Sequence, residues 1–314
     1  MKTLAIDMGG TRVKMGLMMG ERAMRRDIFP AAPGSMRDTL REIAGRARQM
    51  PLDGVQGVGL AFPGIVNSRE NRIVVSNGKY PDAPDIDFDG WARESFRLPI
   101  RVVNDARAAL MGEMACGVGR KYRSAVMLIV GTGVGTAAYC DGRVLHGVHG
   151  TLGNLGGHIA VQMEAPRRCT CGNLGCLEAY AGTWALADMA RQDPAYKESL
   201  LAGEKQVDYR SVWRCAQAGD RLAGRLFDTA CRALGAGAVS LIHAFDPEAV
   251  ILSGGPFHIS RLAERIRQYT AAYAWTPWGA PEVVCAPDPE ASVLMGLDSL
   301  WTKGEAEHGA KEQL

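Results

Sequence analysis

The sequence predicts an α/β protein built from two similar lobes. Two observations carry this. A strand, a glycine turn containing a threonine, and a second strand occur at residues 2–19 and again at 124–140. Elsewhere, short apolar runs alternate with stretches of helical spacing, the pattern of strands and the helices that cover them. The repetition is structural and not a repeat of sequence.

Taken in order, residues 2–7 are an apolar strand, 8–11 a turn, and 13–19 its hairpin partner, with Met15, Met18 and Met19 as strand core. Helical spacing covers 36–50, and 55–61 is a buried strand that stops at Pro63-Gly64. The stretch 67–90, rich in Asn, Asp, Pro and Gly, reads as a long loop. A short strand at 101–103 runs into Asn104-Asp105, with a helix from 106 to 114. The second hairpin occupies 124–130 and 136–140. Helices are predicted at 177–192, 208–218, 219–244, 258–274 and 291–300, with strands at 250–252 and 283–285. The tail from Lys303 is polar.

With 314 residues, the chain is long enough for two domains. They are placed at 1–115 and 116–290, with 291–314 a C-terminal helix packing back on the first lobe. A net charge of +2 with scattered basic residues gives no nucleic-acid footprint, and Arg22, Arg25 and Arg26 read as a solvated turn. The start of the chain has no signal-peptide pattern and no apolar run is long enough for a membrane span. A cytoplasmic protein with reduced cysteines follows as the expectation. Cys116, Cys140, Cys215, Cys231 and Cys285 are dispersed and read as core.

Three glycine turns follow strands: Gly9-Gly10-Thr11 after Asp7, Gly131-Thr132-Gly133-Val134-Gly135, and Gly254-Gly255 after Ser253. Glycine allows close backbone approach to a ligand, and turned amides converge on phosphate oxygens. Asp7, just before the first turn, suits Mg²⁺ held through water. No P-loop is present, and a strand after Gly135 excludes a dinucleotide fingerprint. Asn104-Asp105 ends a strand, where α/β sheets place ligands. Two readings stay open there: a helix cap, or a carboxylate that accepts a substrate hydroxyl proton. His158, Cys169, Cys171 and Cys176 form His-x10-Cys-x-Cys-x4-Cys, a set for a closed tetrahedral zinc site. Such a site is structural and fixes the loop carrying His158 and Glu178.

These motifs, together with Pro63-Gly64, Gly157-His158 and Cys171-Gly172-x-x-Gly175-Cys176-x-Glu178, resemble the ROK family of sugar kinases and repressors. The resemblance implies an actin-like, ribonuclease H-like fold of two lobes around a cleft. It implies an ATP-dependent kinase for the 6-hydroxyl of a hexose or N-acetylhexosamine, with Asp105 as general base. Asn104, His158 and Glu178 are the implied sugar contacts, to which Asn77 and Asn154 are added. Asp7, Gly9, Gly10, Thr11, Lys14, Thr132, Gly133, Gly254 and Gly255 are the implied ATP-side residues. ATP, Mg²⁺ and structural Zn²⁺ are the implied cofactors, a small sugar the partner, and a homodimer the assembly. The first strand leaves no room for a repressor's N-terminal helix-turn-helix.

One departure stands out. The family usually reads Gly-Glu-x-Gly-His, and that Glu binds sugar. This chain reads Gly153-Asn154-Leu155-Gly156-Gly157-His158, without the acid. The competing reading is a sugar-sensing, regulatory protein with weak catalysis; the intact Asp7, Asp105 and glycine turns oppose it.

Overall fold

A computed structural model describes residues 2–9, 12–32, 34–76 and 78–302. Gly10, Thr11, Asn77 and the tail from 303 lie outside the described residues.

The chain opens with a meander of β1 (Lys2–Met8), β2 (Arg12–Met19) and β3 (Arg22–Pro30), then α1 (Met36–Ala47) and β4 (Val55–Phe62). A small hairpin, β5 (Ile65–Asn67) and β6 (Arg72–Val75), precedes α2 (Phe88–Phe96), β7 (Ile100–Asn104) and α3 (Asp105–Cys116). The first sheet has the order β3-β2-β1-β4-β7. β1, β2 and β3 pair antiparallel, whereas β1, β4 and β7 pair parallel.

Two expectations change here. Arg22, Arg25 and Arg26 lie on β3, an edge strand, and not in a turn. Backbone pairing to β2 defines that strand, so its side chains need no apolar alternation and most stay exposed. The long loop at 67–90 is partly ordered. Asn71 ties its hairpin to β7, donating to the Ile100 carbonyl at 3.0 Å and accepting from the Val102 amide at 2.9 Å. Asp87 then caps α2 by accepting from the Gly90 amide at 2.9 Å.

The second sheet starts with β8 (Ala125–Val130), β9 (Val134–Cys140) and β10 (Arg143–Val144). After a long irregular stretch come α4 (Glu178–Ala181), α5 (Thr183–Gln192), α6 (Tyr209–Gln217) and α7 (Arg221–Phe245). Then follow β11 (Ala249–Ser253), α8 (Ser260–Tyr273), β12 (Glu282–Cys285) and α9 (Pro289–Thr302). The order β10-β9-β8-β11-β12 repeats that of the first sheet. β8 pairs antiparallel with β9 and parallel with β11, which pairs parallel with β12. The helix expected at 177–192 is broken: Gly182 is extended (φ −66°, ψ 146°) between α4 and α5.

The chain divides into two compact units. The first comprises residues 1–121, 144–152 and 288–314; the second comprises 122–143 and 153–287. In the first, α9 lies on the β2-β1-β4 face over strand glycines. A Cβ on Gly16 would meet Leu294 at 3.4 Å, one on Gly59 would meet Leu297 at 2.8 Å, and one on Gly57 would meet Trp301 at 2.4 Å. α9 also crosses α3 in backbone contact: a Cβ on Gly112 would fall 1.9 Å from the Ser292 carbonyl, and one on Gly296 1.8 Å from that of Ala108. In the second unit the apolar β8 and β11 are almost wholly buried, and α7 buries most of its apolar face. No described helix is long and apolar enough to cross a membrane.

Candidate active site and metal site

In the first unit, the parallel register sets Asp7 beside Ala61, and Phe62 beside Asn104. Asp7, Pro63-Gly64 and Asn104-Asp105 therefore gather at the carboxyl ends of three adjacent strands, where such sheets bind ligands. Asn104 does cap α3: its Oδ1 accepts from the Arg107 amide at 3.1 Å. The same side chain also orients its neighbour. Asn104 Nδ2 donates to the Gly64 carbonyl and to Asp105 Oδ1, both at 3.1 Å. The Ala106 amide donates to Asp105 Oδ1 at 2.8 Å. Both bonds to Asp105 fall on Oδ1, so the cap and an oriented carboxylate coexist.

Burial pushes the Asp105 carboxyl up to about 6, and the nearby charge of Asp7 adds to the rise. The Ala106 amide and Lys79 act against it. Asp7 is itself buried and raised, chiefly by burial, with Lys14 opposing and Glu290 contributing. Lys14 Nζ lies 3.4 Å from Asp7 Oδ2 and 3.2 Å from Glu290 Oε1. The hairpin register makes Asp7 and Lys14 cross-strand partners. Gly9 is required by that hairpin, since a Cβ there would fall 2.5 Å from the Arg12 carbonyl. Lys79 and Glu290 were not singled out from sequence. One sits in a loop without periodicity, and the other is distant in sequence from its partner.

In the second unit, Gly131–Val134 forms the turn between β8 and β9. The Thr183 and Trp184 amides of α5 donate to the Gly131 and Thr132 carbonyls at 3.1 and 3.2 Å. The Val134 amide donates to Glu178 Oε2 at 2.9 Å. The amides of Thr132 and Gly133 have no acceptor among the described residues. The Gly254-Gly255 turn adjoins: Gly254 has φ +107°, and a Cβ there would fall 2.0 Å from the Val130 carbonyl. Asn154 Nδ2 donates to the Thr136 carbonyl at 2.8 Å, so this amide is bound into β9.

The ligand atoms of His158, Cys169, Cys171 and Cys176 all lie within 4.8 Å of one another. Cys169 Sγ is 3.6 Å from His158 Nδ1, and Cys171 Sγ is 3.8 Å from Cys176 Sγ. Zinc bonds of about 2.3 Å to sulfur and 2.1 Å to nitrogen set neighbouring tetrahedral ligands ~3.6–3.8 Å apart. The four residues fit zinc. Burial pushes the Cys176 thiol up, which a bound cation reverses by taking the thiolate. Gly175 (φ +75°) folds the loop tightly, since a Cβ there would fall 2.1 Å from the Gln162 carbonyl.

Two sheets of one order, each with a glycine turn between its central antiparallel strands, define the class: α/β proteins of the actin-like ATPase fold. The Thermus thermophilus ROK hexokinase superposes with a TM-score of 0.78 at 30% identity, over 96% of this chain and 99% of that one. A ROK family glucokinase from Streptomyces griseus, solved with glucose and AMPPNP, superposes with a TM-score of 0.81 at 25% identity, over 97% and 100%. The Thermotoga maritima glucokinase is 31% identical over 316 aligned positions, covering 96% of this chain and 97% of that protein. The ROK family model matches residues 3–303, and the chain belongs to the ROK family.

Proposed function

We propose that this chain is an ATP-dependent sugar kinase that phosphorylates the 6-hydroxyl of a hexose or N-acetylhexosamine. The observation that carries the reading is Asp105: a carboxylate at a strand end, fixed through Oδ1 by Asn104 and the Ala106 amide, and pushed up to about 6. Such a value suits a base near neutral pH. Oδ2, which takes neither bond, receives the hydroxyl proton as the phosphoryl group transfers. Asp7 and Lys14 serve the phosphate end, Asp7 toward the Mg²⁺ that accompanies ATP and Lys14 as a fixed positive charge. The bound metal neutralises phosphate charge; the protein contributes positioning.

In the second unit, the open Thr132 and Gly133 amides donate to phosphate oxygens, and Gly254-Gly255 lines the adenosine side. His158 turns Nδ1 to the cysteines, which leaves Nε2 for a sugar hydroxyl, with Glu178 as an acceptor. Zinc in the cluster holds that loop in place.

The test is a coupled ADP-release assay across hexoses and N-acetylhexosamines, with phosphorus–proton coupling locating the phosphate on the product. The expected product carries it at carbon 6. ATP binding without turnover of any sugar would replace this reading with the sugar-sensing one.

A further inference from the structure

The carboxylate of Glu178 joins three elements of the second unit. Its Oε2 accepts from the Val134 amide at 2.9 Å. Its Oε1 accepts from Thr170 Oγ1 at 3.2 Å and from Trp184 Nε1 at 3.3 Å. Thr170 lies between the cluster residues Cys169 and Cys171, and Val134 closes the glycine turn. Trp184 holds the turn a second time, because its amide donates to the Thr132 carbonyl at 3.2 Å. The carboxylate rests on the turn itself: a Cβ on Gly133 would fall 2.2 Å from Glu178 Oε2. Gly133 is thus a glycine because Glu178 occupies the space its side chain would need.

A carboxylate has about four acceptor positions, two on each oxygen. Both on Oε1 are taken, and one on Oε2 holds Val134. A single position remains, on the oxygen that fixes the turn. Thr170 and Trp184 are the two side-chain donors that hold Oε1 in this rotation.

We propose that Thr170 is a positioning residue that couples the cysteine loop to the Gly131–Val134 turn through Glu178. Loading the cluster with metal fixes Thr170, Thr170 fixes the rotation of Glu178, and Glu178 fixes the Val134 amide. The neighbouring Thr132 and Gly133 amides are thereby held in place for a phosphate group. Naming that ligand as a nucleotide phosphate rests on the kinase reading; the coupling itself does not.

The test uses the full chain with its metal content measured. Hydrogen exchange is followed at the 131–134 turn, read at the hydrogen-bonded Gly131 and Val134 amides, in the parent, Thr170→Val, Thr170→Ser and Trp184→Phe, without any ligand. Thr170→Val is expected to exchange at the turn several-fold faster while keeping its zinc, and Thr170→Ser to restore the parent rate. Stripping the metal is expected to raise exchange in the parent and to add little in Thr170→Val. Trp184→Phe, which removes the other Oε1 donor, is expected to loosen the turn as well.

Unchanged exchange at 131–134 in a folded, zinc-loaded Thr170→Val overturns the coupling. So does a metal effect of full size in that variant. Titration with a non-hydrolysable ATP analogue then expects about three- to tenfold weaker binding in Thr170→Val than in Thr170→Ser. Absence of nucleotide binding in the parent sinks the kinase reading and leaves the exchange result standing.

Discussion

Glu290, the second residue of the last helix, reaches Lys14 of the first hairpin across 3.2 Å. Lys14 is therefore held from two sides, by Asp7 and by a residue from the far end of the chain. Glu290→Gln removes one side. The pair is partly exposed, so the loss is about 0.2–1 kcal/mol, at most roughly fivefold in KM for Mg-ATP. Lys14→Met removes the cation, a charge-assisted partner worth about 1.5–3 kcal/mol, and KM for Mg-ATP is expected to rise tenfold or more. Steady-state kinetics at fixed sugar check both.

Asp105→Asn keeps the shape of the carboxylate and removes the base. Its kcat is expected to fall by about 10²–10⁴-fold with KM little changed. In the parent, kcat/KM is expected to decline below about pH 6, as Asp105 takes up a proton. The acid limb of the pH profile locates this group.

Stability moves the opposite way from activity at this position. Both Asp7 and Asp105 are raised in the folded state, so the folded chain binds more protons than the unfolded chain between their ordinary value of 3.8 and the raised one. Their contribution favours folding at low pH and is lost as pH rises through that window. Asp105→Asn is expected to melt above the parent at pH 7, with the gap closing near pH 4. Thermal melts at the two pH values measure it.

Chelation is expected to strip the His158–Cys176 cluster and lower the melting temperature. Cys176 is fully buried, so Cys176→Ser is expected to abolish metal retention even when zinc is supplied. Metal analysis after gel filtration reads the stoichiometry, expected near one zinc per parent chain.

Asn154 is bound to the Thr136 carbonyl, so Asn154→Ala is expected to cost about 0.5–1.5 kcal/mol of stability. The KM for sugar is expected to stay within about twofold if that hydrogen bond is the residue's whole task. A large KM shift at unchanged melting temperature would instead make Asn154 a sugar contact.

Much of this architecture is legible in the sequence because burial leaves a period. β1, β8 and β11 are apolar runs, and the turns between paired strands show as glycines. β3 left no such trace, because an edge strand is held by backbone pairing and its arginines face water. α2 was hidden in a stretch rich in turn residues, with Asp87 starting a helix that was not expected there. At the site, the cysteine spacing picked out four residues whose ligand atoms the fold brings within 4.8 Å of one another, and Asn104-Asp105 marked both a cap and a carboxylate. Lys79 and Glu290 escaped because long-range pairing has no signature in a single chain. Glu178 was legible as a residue but not as a junction, since that role depends on three partners brought together by folding.

The embrace of α9 by Gly16, Gly57, Gly59 and Gly112 bears on how the protein is born. A ribosome releases the first sheet early, yet the helix that covers its glycine-lined face emerges only after the whole second unit has been made. Until then that face is bare, and Lys14 lacks its Glu290 partner. Nascent chains therefore pass through a stage with an open apolar stripe that chaperones recognise. A chain cut short before Pro289 is expected to keep the cysteine loop but to be cleared or to aggregate, never gaining the Glu290 contact to Lys14.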